Sequence, residues 1–283
     1  MKIAFHGQRG SYAEAAAAWM YSSEDIATVP CQSTQAVVDA VIDGSCQQGV
    51  IRAESTEWGT NFEILNLLRA TRVYFARDIR FHERYNLAGQ QGTHPENIKR
   101  IYAHPAILFL CGNYMSRLSG VEIFARYDSA EYLADLVRRG DKKEAVVCSD
   151  FAASIFGLRV LQPGIENSSD GTTRFISLSA QKVAPAPEAA NVTTAMLFEL
   201  KHRPGALMEA LAAFKDHQIN ITSVVARPSR ASRWDYATYV EIAGRFDDEP
   251  VRAALAELRE HTTYLQLLGS FDTIEPHVPG TQP

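Results

Sequence analysis

The sequence of 283 residues has no apolar run long enough to cross a membrane. Its longest apolar stretches, such as AILFLCGNYM at 106–115, fall far short of the roughly 20 residues that span a bilayer. The first residues, MKIAFHGQRG, lack the apolar core of a signal peptide. The sequence therefore predicts a soluble, cytoplasmic protein with no membrane partner.

Cysteine is scarce, and its spacing excludes two common uses of the residue. The four cysteines are Cys31, Cys46, Cys111 and Cys148, with no C-x-x-C pair and no accompanying cluster of histidines. A disulfide framework or a zinc site would need such groupings. We therefore expect buried thiols and no bound metal.

The sequence also has no excess of positive charge. The formal net charge is −5 at pH 7, and the one basic cluster, RRGDKK at 138–143, is typical of a solvated helix end. A surface that binds nucleic acid would need a basic patch or stripe. The composition, with 46% apolar residues, favours a globular protein that binds a small molecule.

Short apolar runs alternate with helical patterns over residues 1–180. KIAF at 2–5 and IATVP at 26–30 have the composition of strands, whereas SYAEAAAAWMY at 11–21 and TQAVVDAVIDG at 34–44 have helical spacing. The same rhythm returns between 97 and 157. Such alternation predicts βαβ units and a largely parallel sheet covered on both faces. We expect an α/β domain over 1–180, built as two lobes.

A second domain is predicted after a linker. Residues 181–191, QKVAPAPEAAN, are rich in alanine and proline and have no hydrophobic period, which predicts a semi-rigid linker. Beyond it the patterns follow the order strand, helix, strand, strand, helix, strand. This βαββαβ order predicts a ferredoxin-like domain over 192–275, and we expect 276–283 to form a tail.

The stretch SSDGTTRF at 168–175 has two interpretations. An Asp-Gly pair before Thr, Phe and Ile is typical of a tight turn that leads into a strand. Such a turn can also aim side chains into a cleft, where the hydroxyl of Thr173 beside the guanidinium of Arg174 suits an anionic substrate. The fragment alone leaves both interpretations open.

Three motifs carry a resemblance to a known family. IAFHGQRGSYAEAA at 3–16 resembles a glycine-rich strand-to-helix turn, AHPAILFLC at 103–111 a His-Pro motif, and DGTTRFISL at 170–178 a Thr-Arg-Phe motif. In this order, over nearly the whole chain, they resemble prephenate dehydratase with a carboxy-terminal ACT domain. The resemblance implies a two-lobed catalytic domain like that of periplasmic binding proteins, followed by a ferredoxin-like ACT domain.

The resemblance implies an activity and a set of site residues. Prephenate loses its ring carboxylate and its ring hydroxyl to give phenylpyruvate in phenylalanine biosynthesis, a reaction that needs no cofactor or metal. Thr173 is expected to assist departure of the hydroxyl and Arg174 to anchor a carboxylate, with Glu54 as a third catalytic residue. The residues expected to bind substrate are Gly10, Ser11, Tyr12, Ser55, Thr56, Thr172 and Phe175.

One motif departs from the family pattern. Dehydratases of this kind carry Pro-Ile-Glu-Asn-Ser, and here 52–56 read RAEST, so that Glu54 stays but Arg52 replaces proline and Ser55 replaces asparagine. The change leaves prephenate and arogenate both open as substrates. It also leaves two other functions open: decarboxylation of prephenate without dehydration, and a catalytically silent regulator that binds an amino acid or keto acid.

The second domain resembles the ACT motif that receives phenylalanine at a dimer interface. HRPGALMEAL at 202–211 has Arg203, Gly205, Ala206 and Leu207 in matching positions. The family's Glu-Ser-Arg-Pro reads VARP here, so only Arg227 and Pro228 remain. The resemblance implies a homo-oligomer, dimer or tetramer, with phenylalanine as effector. Because valine cannot accept a hydrogen bond from an amino group, we expect a weaker or altered response to phenylalanine.

Overall fold

The computed structural model describes residues 1–126, 129–228 and 236–277. The first lobe contains two segments of chain, because the chain leaves it after His82 and returns to it at Thr172. Its elements are β1 (Lys2–His6), α1 (Tyr12–Met20), β2 (Ala27–Cys31), α2 (Thr34–Ile42), β3 (Gln48–Ser55), β4 (Gly59–Thr60), α3 (Phe62–Ala70), β5 (Tyr74–His82) and β11 (Thr172–Ser179).

The second lobe is formed by the part of the chain between β5 and β11. Its elements are β6 (Asn86–Gly89), a 3₁₀ turn (Pro95–Asn97), β7 (Arg100–Ala103), α4 (Pro105–Leu110), α5 (Gly112–Met115), β8 (Glu122–Ala125), α6 (Ser129–Arg139), β9 (Glu144–Cys148), α7 (Asp150–Ile155) and β10 (Arg159–Gln162). The strands form a sheet in the order β10-β6-β9-β7-β8. Apolar clusters on both faces of the sheet make a core separate from that of the first lobe.

The carboxy-terminal domain has the expected βαββαβ order. Its elements are β12 (Val192–Leu200), α8 (Ala206–Asp216), β13 (Ile221–Pro228), β14 (Tyr236–Ala243), α9 (Glu249–His261) and β15 (Thr262–His277). Both helices pack on one face of the sheet around Phe198 and Phe214. Two α/β lobes followed by a ferredoxin-like domain confirm the fold class predicted from the sequence.

The connection between the domains was not predicted. The first half of β15 pairs with β12, and its second half pairs in parallel with β5 of the first lobe, so that Asp272 lies opposite Arg77. One ten-stranded sheet therefore runs through both domains, in the order β13-β14-β12-β15-β5-β11-β3-β1-β2, with β4 paired to β3 beside this path. The strand continues to His277, into the segment 276–283 that was expected as a tail.

The two domains also share a hydrophobic core. Phe75 and Ile176 of the first lobe belong to the same buried cluster as Leu197, Tyr239 and Phe271 of the carboxy-terminal domain. Burial of this much apolar surface on both sides of the boundary stabilises one arrangement of the domains. In the part of the chain that the structure describes, no helix has the length and apolar character needed to span a bilayer.

Candidate active site

A cleft of 710 Å³ lies between the two lobes, within the size range of small-molecule sites. The turn from His6 to Ala13 lines it from the first lobe, and the starts of α4 and α7 line it from the second. A smaller pocket of 90 Å³ around Thr173 adjoins the cleft, because both are lined by Trp58, Glu83, Tyr85 and Leu110. The two cavities together form the candidate active site.

Two hydroxyl groups lie side by side in the smaller pocket. Thr173 on β11 is the cross-strand partner of Ser55 on β3, and the two residues are 2% and 5% exposed. The Ser55 hydroxyl accepts a hydrogen bond from the Glu57 amide at 3.2 Å. Residues opposite each other on adjacent strands present their side chains on the same face of the sheet. The structure therefore brings Thr173 and Ser55 together on one face of the sheet.

The glycine-rich turn forms the opposite wall of the cleft. Gly10 has φ +84, and a Cβ atom there would lie 3.2 Å from the Ala152 side chain on α7. Glycine thus permits both the left-handed backbone and the close approach of the two lobes. Ser11 then caps α1, its hydroxyl accepting from the Glu14 amide at 3.3 Å. Gly10, Ser11 and Tyr12 all line the cleft.

A hydrogen-bonded group of three side chains lies between these walls, and the sequence did not reveal it as a unit. Arg52 forms a 2.5 Å ion pair with Glu83, which also accepts a hydrogen bond from the Tyr85 hydroxyl at 2.7 Å. The Arg52 guanidinium lies 5.6 Å from the centre of the Phe175 ring. Burial and the nearby Glu83 carboxylate raise the pKa of Tyr85, so its hydroxyl stays protonated. Arg52, Glu83, Tyr85 and Phe175 all line the cleft.

Arg174 and Glu54 do not point into the cleft, which corrects the expectation that Thr173 and Arg174 are aimed together at a substrate. Successive side chains on a strand face opposite sides of the sheet, so Arg174 faces away from Thr173. It forms ion pairs with Asp78 and, on the carboxy-terminal domain, with Glu241. Glu54 lies on the same side, 4.0 Å from the guanidinium.

Two further expected site residues lie outside both cavities. Thr56 and Thr172 bond each other: the Thr56 amide donates to the Thr172 carbonyl at 2.9 Å, and the Thr172 amide donates to the Thr56 hydroxyl at 3.0 Å. These bonds fasten the Asp-Gly turn to the end of β3. Neither residue lines the cleft or the smaller pocket, so their position indicates a structural role.

His104 of the His-Pro motif lines the cleft, and so do Cys148 and Cys31; Cys31 is half-buried, which corrects the expectation that all the thiols are buried. His104 caps α4, its Nδ1 atom accepting from the Ala106 amide at 3.2 Å, and Cys111 is fully buried in the second lobe. Burial raises the pKa of both Cys111 and Cys148 to about 12. Cys148 lines the cleft, but at neutral pH its thiol is protonated and is a poor nucleophile.

The residues expected to bind an effector lie on two elements of the carboxy-terminal domain. Gly205, with φ +82, caps α8, which begins at Ala206 and Leu207, and Arg203 in the preceding loop is paired with Glu209. Arg227 and Pro228 end β13. Val225, at the position of the family's glutamate, packs against the core shared by the two domains.

Comparison with known proteins identifies the family of each domain. A prephenate dehydratase family model matches residues 3–183, and an ACT domain model matches 194–260. Arogenate dehydratase/prephenate dehydratase 2 of Arabidopsis thaliana is 29% identical over 96% of this chain and 72% of its own.

Two solved structures share the fold at 24% identity. One is GqqA, described as a quorum quenching acylase, with a TM-score of 0.85 over 97% of this chain and 98% of that one. The other is prephenate dehydratase from Arthrobacter aurescens in complex with L-Phe, with a TM-score of 0.83 over 96% and 90%. Because the family model spans more than half of its residues, the chain belongs to the prephenate dehydratase family of hydro-lyases.

Proposed function

We propose that the protein converts prephenate to phenylpyruvate, with loss of carbon dioxide and water, in phenylalanine biosynthesis. The observation that carries this proposal is the pair of buried hydroxyls, Thr173 and Ser55, in a pocket that opens onto the cleft between the lobes. A ring hydroxyl of the substrate that enters this pocket meets a hydrogen-bond donor in a desolvated place, where such a bond is strongest.

The cleft provides two groups for the carboxylates of prephenate. The first is the start of α1, where the helix dipole and the amides of Tyr12 and Ala13 favour an anion, whereas the amides of Gly10 and Ser11 already donate to Glu14 and to the Gln8 carbonyl. The second is Arg52, whose side chain is 37% exposed and therefore accessible to a ligand. A substrate carboxylate at Arg52 competes with Glu83 for the guanidinium. Both groups lie on the cleft side of the sheet, unlike Arg174.

The reaction breaks two bonds of the substrate and needs one proton. The ring loses its carboxylate as carbon dioxide, and the electron pair of that C–C bond restores aromaticity as the C–O bond breaks. A threonine hydroxyl is too weak an acid to protonate the leaving oxygen unaided. Glu57, Glu83 and Glu166 line the pocket beside Thr173. Glu83 and Glu166 are ion-paired with Arg52 and Arg84. In the proposed reaction the carboxyl of Glu57 therefore supplies the proton, and Thr173 holds the leaving oxygen with a hydrogen bond.

The two ion-paired carboxylates, Glu83 and Glu166, favour arogenate as a second candidate substrate. Arogenate differs from prephenate in carrying an ammonium group where prephenate has a keto group, and a carboxylate is the natural partner of an ammonium. Glu83 is 7% exposed and Glu166 is 9% exposed, so a charge pair with either would be shielded from water. The plant relative bears the names of both activities.

Incubation of the purified protein with each acid tests the proposed function. We expect prephenate to yield phenylpyruvate, measured by its absorbance in alkali, and arogenate to yield phenylalanine if it is accepted. A non-aromatic product would indicate decarboxylation without dehydration. If neither acid is consumed, the protein does not have the proposed function, and the alternative of a silent binding protein is favoured.

We propose that phenylalanine binds the carboxy-terminal domain weakly. Val225 offers no hydrogen-bond acceptor and is part of the shared core, and Arg203 is already paired with Glu209. Micromolar phenylalanine is therefore expected to change neither activity nor Tm, since a ligand stabilises the folded state only above its Kd. Titration of phenylalanine against both quantities measures this. Tight inhibition would mean that other groups replace the missing glutamate and serine.

Exposed apolar side chains on the carboxy-terminal domain support a homo-oligomer. Met208 on α8 is 79% exposed, and Val224 on β13 and Tyr236 on β14 are 45% and 46% exposed. β13 is also an edge strand of the ten-stranded sheet, and an exposed edge is a place where another strand can pair. We propose that a second copy of the chain covers this surface.

A further inference from the structure

A buried ion-pair cluster joins the carboxy-terminal domain to the strand that carries Thr173. Arg174 on β11 donates from Nε to both carboxylate oxygens of Asp78 at 3.0 Å, and its Nη2 lies 2.9 Å from the same carboxylate. Its Nη1 lies 2.8 Å from Oε1 of Glu241 on β14. The Tyr239 hydroxyl donates to the same Glu241 oxygen. One guanidinium thus bridges the two domains.

The members of this cluster are almost completely removed from water. The side chains of Arg174, Asp78 and Glu241 are 8%, 0% and 3% exposed. Burial raises the pKa of Asp78, and the Arg174 guanidinium opposes that rise. Two buried carboxylates contact this one cation, and loss of either side of the cluster would leave a buried charge poorly compensated. Such a cluster has one well-defined geometry, because a guanidinium binds carboxylates only within its plane.

The neighbouring strand β3 has a β-bulge opposite Arg174 and Phe175. Arg174 lies opposite Glu54 on β3, whereas Phe175 lies opposite Arg52, so Ala53 is an extra residue and forms a bulge. A bulge locally disrupts the regular ladder and redirects the side chains beside it. Backbone pairing is weaker at the bulge. The positions of Thr173 and Ser55 therefore also depend on side-chain contacts in this part of the sheet.

We infer that Glu241, in the carboxy-terminal domain, is a positioning residue for Thr173. By holding Nη1 of Arg174, Glu241 fixes the segment of β11 that lies beside the β3 bulge in the orientation that presents Thr173 to the pocket. The carboxy-terminal domain thus contributes to the geometry of the active site without touching the substrate. The catalytic consequence rests on the proposed function, in which Thr173 acts on the leaving hydroxyl.

The chain offers a matched control for this inference. Arg69 on α3 and Glu199 on β12 form a second ion pair between the domains, at 2.5 Å, with Glu199 12% exposed. Neither residue lies on β3 or β11, and neither lines the cleft. Loss of this pair removes a contact between the domains but no contact of β11, the strand that carries Thr173. Both variants remove one ion pair between the domains, but only Glu241→Gln removes a contact with β11, the strand that carries Thr173.

Kinetics of the two variants give the first test. A misplacement of about 1 Å can cost up to about a hundredfold in rate, so we expect Glu241→Gln to lower kcat by roughly tenfold with little change in KM. Glu199→Gln is expected to keep the wild-type kcat. In a Thr173→Ala background, Glu241→Gln should have no further effect on kcat. An equal loss in both backgrounds would show that Glu241 does not act through Thr173.

A spectroscopic test does not depend on activity. In protein labelled with ¹³C at threonine methyl groups, the Thr173 resonance is assigned by its absence from Thr173→Ala. We expect this resonance to shift in Glu241→Gln and to stay in place in Glu199→Gln. If it stays in place in both variants, the inference is wrong. Glu241→Asp, which keeps the charge but shortens the side chain, is expected to shift the same resonance and serves if Glu241→Gln does not fold.

The two tests separate the inference from the proposed function. If the wild-type protein converts neither prephenate nor arogenate, the proposed function fails, and the methyl resonance still decides whether Glu241 positions Thr173. If the protein is active and neither kcat nor the resonance responds to Glu241→Gln, the inference fails while the proposed function stands.

Discussion

Replacing Thr173 with alanine is expected to lower kcat by roughly 100- to 1,000-fold, the loss typical of removing one preorganised hydrogen-bond donor from an active site. The hydroxyl is useful mainly when charge develops on the leaving oxygen, so the substitution removes stabilisation of the transition state and changes KM little. Steady-state kinetics with prephenate, and with arogenate if it is accepted, measure the effect.

Two control variants separate the chemistry of Thr173 from its packing. Thr173→Ser keeps a hydroxyl and is expected to retain most of the activity. Thr238→Ala removes a threonine that is also buried in a strand, at 3% exposure, but lies in the carboxy-terminal domain. It should therefore lose stability without the large loss of kcat. Full activity of Thr173→Ala would show that this threonine is only a strand residue.

The alternation of side chains along a strand would have been enough to predict, from the sequence alone, that Arg174 faces away from the cleft that Thr173 lines. Thr173 and Arg174 are adjacent in a strand, and adjacent side chains face opposite sides of a sheet. Their common motif suggested a common cleft, yet only one of them can face it. The family resemblance named both residues as candidates, whereas the strand geometry decides that Thr173 lines the pocket and Arg174 joins the domains.

The arrangement on β3 could not be predicted in the same way. Strict alternation would put Arg52 and Ser55 on opposite faces, but both line the candidate site. The bulge adds Ala53 as an extra residue between them, so that both side chains face the same side of the sheet. Nothing in the letters RAEST indicates an extra residue, because a bulge depends on how the neighbouring strand is paired. The contact of Arg52 with Glu83 could not be predicted for that reason.

The local patterns predicted most of the individual elements and the two-lobed order, but not how the domains join. Residues in β15 and β5 that pair are far apart in the chain, as with Asp272 and Arg77. Short-range periodicity carries no information on such partners. The alanine- and proline-rich segment predicted a semi-rigid linker between two domains and gave no sign of the continuous sheet and shared core that the structure has.

This continuous sheet leads to a second large effect, at Gly269 in β15. Gly269 has φ +136, and a Cβ atom there would lie 2.7 Å from the carbonyl oxygen of Phe75 on β5. The backbone conformation costs a residue other than glycine about 1–3 kcal/mol, and forcing packed backbone apart costs a further 1–3 kcal/mol or so. Gly269→Ala is therefore expected to lower the free energy of unfolding by roughly 2–6 kcal/mol.

Denaturant unfolding of Gly269→Ala beside Gly44→Ala tests this expectation. Gly44 also has a positive φ, +78, but a Cβ atom there meets no atom within 4 Å, so the control should lose only about 1–2 kcal/mol from backbone strain. The excess loss in Gly269→Ala then measures the close contact of β15 with β5. Because that contact continues into the pairing beside Asp78 and Arg174, hydrogen exchange should also quicken in β5 and β11 of Gly269→Ala and not of Gly44→Ala. Equal losses of stability in the two variants would mean that β15 does not lie against β5 in the folded protein.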